Sequence, residues 1–129
     1  MKTILVVEDD EHLRRVFRTL LEGEGFGVIE AADGLAGVAA ALAHAPACIV
    51  TDTMMPRLDG LGMLARLKVL GCTRPTLIVS AVHELPPLEE LKALGVEQVL
   101  GKPFAFDRFV AAVVMLAGTY RRDAIKRDA

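Results

Sequence analysis

Five short apolar runs, each followed by a stretch of helical periodicity, constrain the fold of this 129-residue chain more than any other feature. They fall at 3–7, 27–31, 47–51, 75–80 and 96–100. A strand-helix-strand alternation joins parallel neighbours through right-handed crossovers that carry each helix back over the sheet, so both faces are covered. The expected fold class is therefore α/β: a doubly wound, five-stranded parallel sheet flanked by five helices. The flavodoxin-like order 2-1-3-4-5 is one arrangement of such a sheet, and it makes the first and third strands neighbours.

The intervening stretches carry their own punctuation. Leu13, Val16, Phe17, Leu20 and Leu21 recur at helical spacing, Arg14, Arg15 and Arg18 take the other face, and Gly23 supplies a stop. Asp33-Gly34 reads as a turn before an alanine-rich helix at 35–43, closed by Pro46. Leu61, Leu64 and Leu67 mark a third helix ending at Gly71. Pro86 and Pro87 suit the first turn of a short fourth helix carrying Leu88, Leu91 and Leu94. Phe106, Phe109, Val110 and Val113 mark a fifth, running towards Tyr120.

The length fits one domain, expected at 1–120 with a short tail at 121–129 and no output domain, and 53% hydrophobic content suffices for a core. Only Lys2 precedes the first apolar run and acids follow it, a pattern of neither a signal peptide nor a membrane span, so a soluble, cytoplasmic protein is expected. A net charge of −2 argues against a nucleic-acid footprint. Arg121, Arg122, Lys126 and Arg127 are interspersed with Asp123 and Asp128, as in a solvated helical tail. Cys48 and Cys72 lack ligand or redox spacing and read as buried thiols.

Parallel strands point their C-terminal ends the same way, so Glu8, Asp9, Asp52, Ser80 and Lys102 are expected along one edge. Singly, each has a bland role: helix-capping acids, a turn aspartate, a capping serine, a loop lysine. Together they suggest chemistry. Three clustered carboxylates resist ionisation unless a cation neutralises them. Mg²⁺ suits the task because it takes one or two carboxylates, a carbonyl, waters and a phosphate oxygen. Asp9 and Asp52 are the expected direct ligands, with Glu8 acting through water. A carboxylate next to such an ion can serve as nucleophile in phosphoryl transfer without a general base. His12 and His44 read as helix-surface residues and His83 as a loop residue.

Ile4-Leu5-Val6-Val7-Glu8-Asp9-Asp10, Asp52-Thr53-Met54-Met55-Pro56-Arg57-Leu58-Asp59-Gly60, Ser80-Ala81 and Lys102-Pro103-Phe104 together resemble the receiver domain of two-component response regulators. The resemblance covers essentially the whole chain. It implies that a histidine kinase or histidine phosphotransfer protein donates a phosphoryl group to Asp52. It also implies that Glu8 and Asp9 hold Mg²⁺ with the Met54 carbonyl, that Ser80 and Lys102 turn to the new phosphoryl group, and that the Lys102-Pro103 bond is cis. The face made by the fourth helix, fifth strand and fifth helix would then meet a downstream protein. One position departs from the pattern: Val99 stands where the family usually has an aromatic ring that swings inward. Met54 and Val82, which match positions flanking attacking water, offer no strong hydrogen bond, so slow loss of the phosphoryl group is expected.

Other readings account for fewer residues. A receiver excised from a larger regulator or hybrid kinase fits the same motifs, and a receiver-like scaffold that is never phosphorylated is favoured only by Val99. A dehalogenase-type phosphatase would need an acid where Met54 stands. An FMN-binding flavodoxin-like protein would meet repulsion from Glu8-Asp9-Asp10-Glu11 at its phosphate loop.

Overall fold

Both faces of every central strand are buried, and the alternation of side chains along the strands divides the interior into two cores. The computed structural model describes residues 1–81 and 84–128, the side chains of 119–128 excepted. In order the elements are β1 (Thr3–Val7), α1 (Glu11–Gly23), β2 (Gly27–Ala31), α2 (Gly34–His44), β3 (Cys48–Thr51), α3 (Gly60–Val69), β4 (Thr76–Ser80), α4 (Leu88–Ala93), β5 (Val96–Gly101) and α5 (Phe106–Asp128). The five strands form one parallel sheet in the order β2-β1-β3-β4-β5. The expected architecture and strand order are those observed.

Ile4, Val6, Cys48, Val50, Leu77 and Val79 point to one face, where Phe17 and Leu21 of α1 and Phe109, Val113 and Leu116 of α5 cover them. Leu5, Val7, Ile49 and Ile78 point to the other, under Val38 and Ala41 of α2, Met63, Leu64 and Leu67 of α3, and Leu91 of α4. A period of two along the central strands β1, β3 and β4, which are buried at every position but Thr3, produces this two-sided packing. Cys48 and Cys72 are both buried free thiols, and burial pushes the Cys48 thiol well up.

Three helices begin on an aspartate that accepts a backbone N–H in the first turn: Asp10 from Leu13, Asp33 from Ala36 and Asp59 from Gly62. The fourth differs from expectation. Pro87, extended at ψ 151°, stands before α4 as its cap and not inside its first turn, and Leu88 is exposed. Phe106 is likewise exposed at the start of α5, although its spacing matches Phe109 and Val113. Arg14 leaves the solvent face assigned to it: its guanidinium donates to the Glu8 carbonyl at 2.7 Å and pairs with Glu30 at 2.9 Å, tying α1 to the ends of β1 and β2. Helix α5 continues past Tyr120 to Asp128; the side chains of Arg121, Arg122, Lys126 and Arg127 lie outside the described residues, as do Val82 and His83.

Two glycines allow the loop after β3 to lie close to its neighbours. A Cβ on Gly34 would stand 2.2 Å from the Leu58 carbonyl oxygen, and one on Gly60 would stand 2.0 Å from that of Asp52. Gly60→Ala should therefore lower stability by about 1–3 kcal/mol in urea denaturation, as an overpacked site does. Gly23→Ala, with nothing within 4 Å of the added carbon, should stay within about 0.5 kcal/mol of the parent. Equal stabilities for the two variants would contradict this account of the loop.

Candidate functional site

Each candidate residue at the carboxyl edge stands at or just past the end of a strand, held there by backbone bonds that prolong the ladder. The Glu8 N–H donates to the Ala31 carbonyl at 3.0 Å, Asp52 N–H to Val7 at 3.3 Å, and Lys102 N–H to Ser80 at 3.0 Å. Strand ends of β1, β3, β4 and β5 thus deliver Glu8, Asp52, Ser80 and Lys102 to one place. Behind Lys102, a cis peptide bond leads into Pro103, and Phe104 packs against Phe17 and Phe109 at ring separations of 5.5 and 5.6 Å. That aromatic anchor fixes the lysine's exit from the sheet.

The Lys102 ammonium lies 2.6 Å from Asp52 Oδ2 and 3.0 Å from Glu8 Oε1. Its other partners' loads are distributed: Asp52 Oδ1 accepts the Thr53 N–H at 2.6 Å and the Met54 N–H at 3.3 Å, while a Glu8 oxygen accepts the Asp10 N–H at 3.1 Å. Burial raises the Glu8 carboxyl pKa; the Asp10 N–H and Lys102 oppose the rise, and the Asp9 side chain adds to it. Burial alone would lower that of Lys102, but the bonds to Asp52 and Glu8 outweigh it, and the ammonium form is favoured.

Three converging carboxylates were the expectation; two share the lysine, and Asp9 is exposed beside them. Among the described residues, no group of three or more His, Cys, Asp or Glu side chains is spaced to hold a metal ion. The donors at this edge nonetheless suit a hard divalent ion that needs few carboxylates: Asp9, Asp52 and the Met54 carbonyl supply oxygen only, and Glu8 stands close behind. A hard divalent cation such as Mg²⁺ thus fits the residue set.

Ser80 is buried at the end of β4, and its hydroxyl lies 2.8 Å from that of Thr53. Val99 is 42% exposed on β5. The Met54 side chain is exposed, and His12 lines a shallow groove on α1 with Lys102, Pro103 and Phe104.

Thr53, Arg57 and Asp33 are additions that the sequence did not single out. Arg57 has a left-handed backbone (φ 66°), and its Nε donates to Asp33 Oδ2 at 2.8 Å, while Asp33 Oδ1 caps α2 through Ala36 N–H at 2.8 Å. Gly34 N–H donates to the Leu58 carbonyl at 3.0 Å, and Gly60 N–H to that of Thr53 at 3.0 Å. The loop carrying Met54 is thereby clasped to the start of α2 and to α3. Asp33-Gly34 was legible as a turn, but a positive φ at an arginine has no signature in the sequence.

The model of the response regulator receiver domain family matches residues 4–114. The chain belongs to this family. Among curated relatives, this receiver is 36% identical over 110 residues to the transcriptional regulatory protein FixJ of Bradyrhizobium diazoefficiens, covering 85% of this chain and 54% of FixJ. It is 34% identical over 122 residues to the response regulator MprA of Mycobacterium tuberculosis, covering 94% of this chain and 53% of MprA. The chain spans about half the length of these relatives. Among solved structures, the receiver domain of Francisella response regulator 1452 superposes with a TM-score of 0.83 at 31% identity, over 95% of this chain and 99% of that one. No helix among the described residues of the receiver is long and apolar enough to cross a membrane.

The capping bond from Ala36, then the Arg57 guanidinium, hold the Asp33 carboxyl below the usual aspartate range. Its contribution to stability is complete above the ordinary aspartate pKa of about 3.9 and drains away as pH falls through the lowered native value. Asp33→Asn should flatten that part of the acid limb when stability is followed by urea denaturation against pH. Superimposable limbs would contradict the clasp.

Proposed function

We propose that this receiver is a phosphoacceptor of two-component signal transduction, in which Asp52 takes a phosphoryl group from the phosphohistidine of a histidine kinase or histidine phosphotransfer protein. The observation that carries the reading is the Lys102 ammonium within hydrogen-bond range of Asp52 at the end of β3. A lysine so placed can neutralise phosphoryl oxygens added to that carboxylate. In the transfer, an Asp52 carboxylate oxygen forms the new O–P bond while the donor's N–P bond breaks. The electron pair of that bond leaves on the imidazole nitrogen, and the carboxylate has no proton to surrender, so no general base is required.

Asp9, Asp52 and the Met54 carbonyl would hold Mg²⁺, with Glu8 acting through water, and the bound ion would supply charge neutralisation at the phosphoryl oxygens. Thr53 N–H and Met54 N–H, already on Asp52 Oδ1, keep the carboxylate oriented for in-line attack. After transfer, Ser80 and Lys102 turn towards the phosphoryl oxygens and shift the population of the face formed by α4, β5 and α5, where a downstream protein docks. That face exposes Leu88, Val99 and Met115. The switch therefore involves Ser80, Val99 and the Lys102-Pro103 turn, in a cytoplasmic protein that needs neither nucleic acid nor membrane for these steps.

Incubation with acetyl phosphate and a magnesium salt should add the mass of one phosphoryl group to the intact protein, and Asp52→Asn should abolish the gain. An unshifted mass under conditions that modify another receiver would leave a scaffold acting by protein contact alone. The Met54 side chain is exposed and cannot orient water. Met54→Asn should hasten decay of the phosphorylated form several-fold, as followed by mass or by ³²P release; an unchanged or slower decay would contradict the long lifetime.

A further inference from the structure

We propose that Thr53 is a positioning residue for the switch: its hydroxyl holds the Ser80 hydroxyl in the unphosphorylated protein, and Ser80 reaches a phosphoryl group only by giving up that bond. The inference deepens the phosphoacceptor reading and rests on it. It begins with two hydroxyls removed from water, Thr53 at 6% and Ser80 at 2% exposure, with their oxygens 2.8 Å apart. Either hydroxyl can donate in this bond; whichever does, it places Ser80 Oγ beside Thr53, and a serine that swings to a phosphoryl oxygen leaves that position.

Thr53 is fixed from two sides, which is what makes it a reference point for its neighbour. Its N–H is committed to Asp52 Oδ1 at 2.6 Å, and its carbonyl accepts the Gly60 N–H at 3.0 Å. Its β-branched side chain has few rotamers, so the hydroxyl cannot follow a departing serine far. The Thr53 hydroxyl also stands 3.5 Å from Asp52 Oδ1, much farther than from Ser80. One side chain therefore touches both the residue to be phosphorylated and the residue that responds. With Val99 exposed on β5 and carrying no ring, this hydroxyl pair supplies a resting position for Ser80 that depends on no aromatic side chain.

Removing the Thr53 hydroxyl while retaining its shape should relax this hold. Thr53→Val should bind beryllofluoride, a phosphoryl mimic, with Mg²⁺ about two- to tenfold more tightly than the parent, the range for loss of one neutral hydrogen bond in the resting state. Backbone ¹H–¹⁵N NMR titration reads the midpoint, and urea denaturation of the free protein separates it from any change in stability. Thr53→Ser, which keeps the hydroxyl, should restore the parental midpoint. In a Ser80→Ala background, Thr53→Val should produce no further shift, since the partner is gone. An unchanged midpoint in Thr53→Val, or the same gain in the Ser80→Ala background, would overturn the proposal while leaving phosphorylation of Asp52 intact.

The wild-type protein provides an independent measurement should Thr53→Val fold poorly. A Thr53 or Ser80 hydroxyl proton in slow exchange, with a nuclear Overhauser effect joining the two side chains, should be present in the free protein and vanish with beryllofluoride. Persistence of that contact in the beryllofluoride-bound protein would overturn the proposal. A wild-type protein that gives no response to beryllofluoride at all would overturn the phosphoacceptor reading, and this one with it.

Discussion

One ammonium group holds the carboxyl edge together. Glu8 leaves β1 and Asp52 leaves β3 on adjacent strands, and two carboxylates brought so near one another resist being ionised together. Lys102, arriving from the far edge strand, touches both. Because each oxygen of Asp52 is already met by a donor, the carboxylate is held in one orientation. Removing one member of such a cluster leaves the others with uncompensated charge, which is far more damaging than the worth of any single pair suggests.

The sheet makes this possible by being apolar on both faces. Parallel strands sandwiched between α1 and α5 on one side and α2, α3 and α4 on the other cannot slip without exposing an entire row of Val, Ile and Leu. A fixed register means fixed strand ends, and the functional residues are the first ones past those ends. Phe104, wedged against Phe17 and Phe109, extends the same logic to the lysine: its backbone is held by packing in the α1–α5 core, two residues beyond the ammonium's attachment.

Much of this was readable from residue order. The apolar runs give the central strands β1, β3 and β4 nearly to the residue, since a strand buried on both faces admits no polar side chain in its middle, and the shared C-terminal edge follows from parallel pairing. What periodicity could not resolve lies where local and tertiary demands diverge. Phe106 has core spacing yet is exposed in the first turn of α5, and Arg14 has surface spacing yet turns inward to the Glu8 carbonyl. The exposure of the two acids that follow β1 was likewise not legible in their spacing: Glu8 is buried and Asp9 is exposed. Thr53 and the Arg57–Asp33 clasp join side chains 24 or more residues apart, and no pattern of spacing marks such pairs.

The central claim is that Lys102 is committed to Asp52 and Glu8 before phosphorylation and to the phosphoryl group afterwards. Nitrogen-detected NMR of the lysine side chains tests it directly. A hydrogen-bonded Lys102 ammonium should give a resolved, slowly exchanging signal, shifted by Asp52→Asn and shifted again on phosphorylation of the wild-type protein. A Lys102 signal that coincides with those of the solvent-exposed lysines, and that neither the substitution nor phosphorylation moves, would contradict the account.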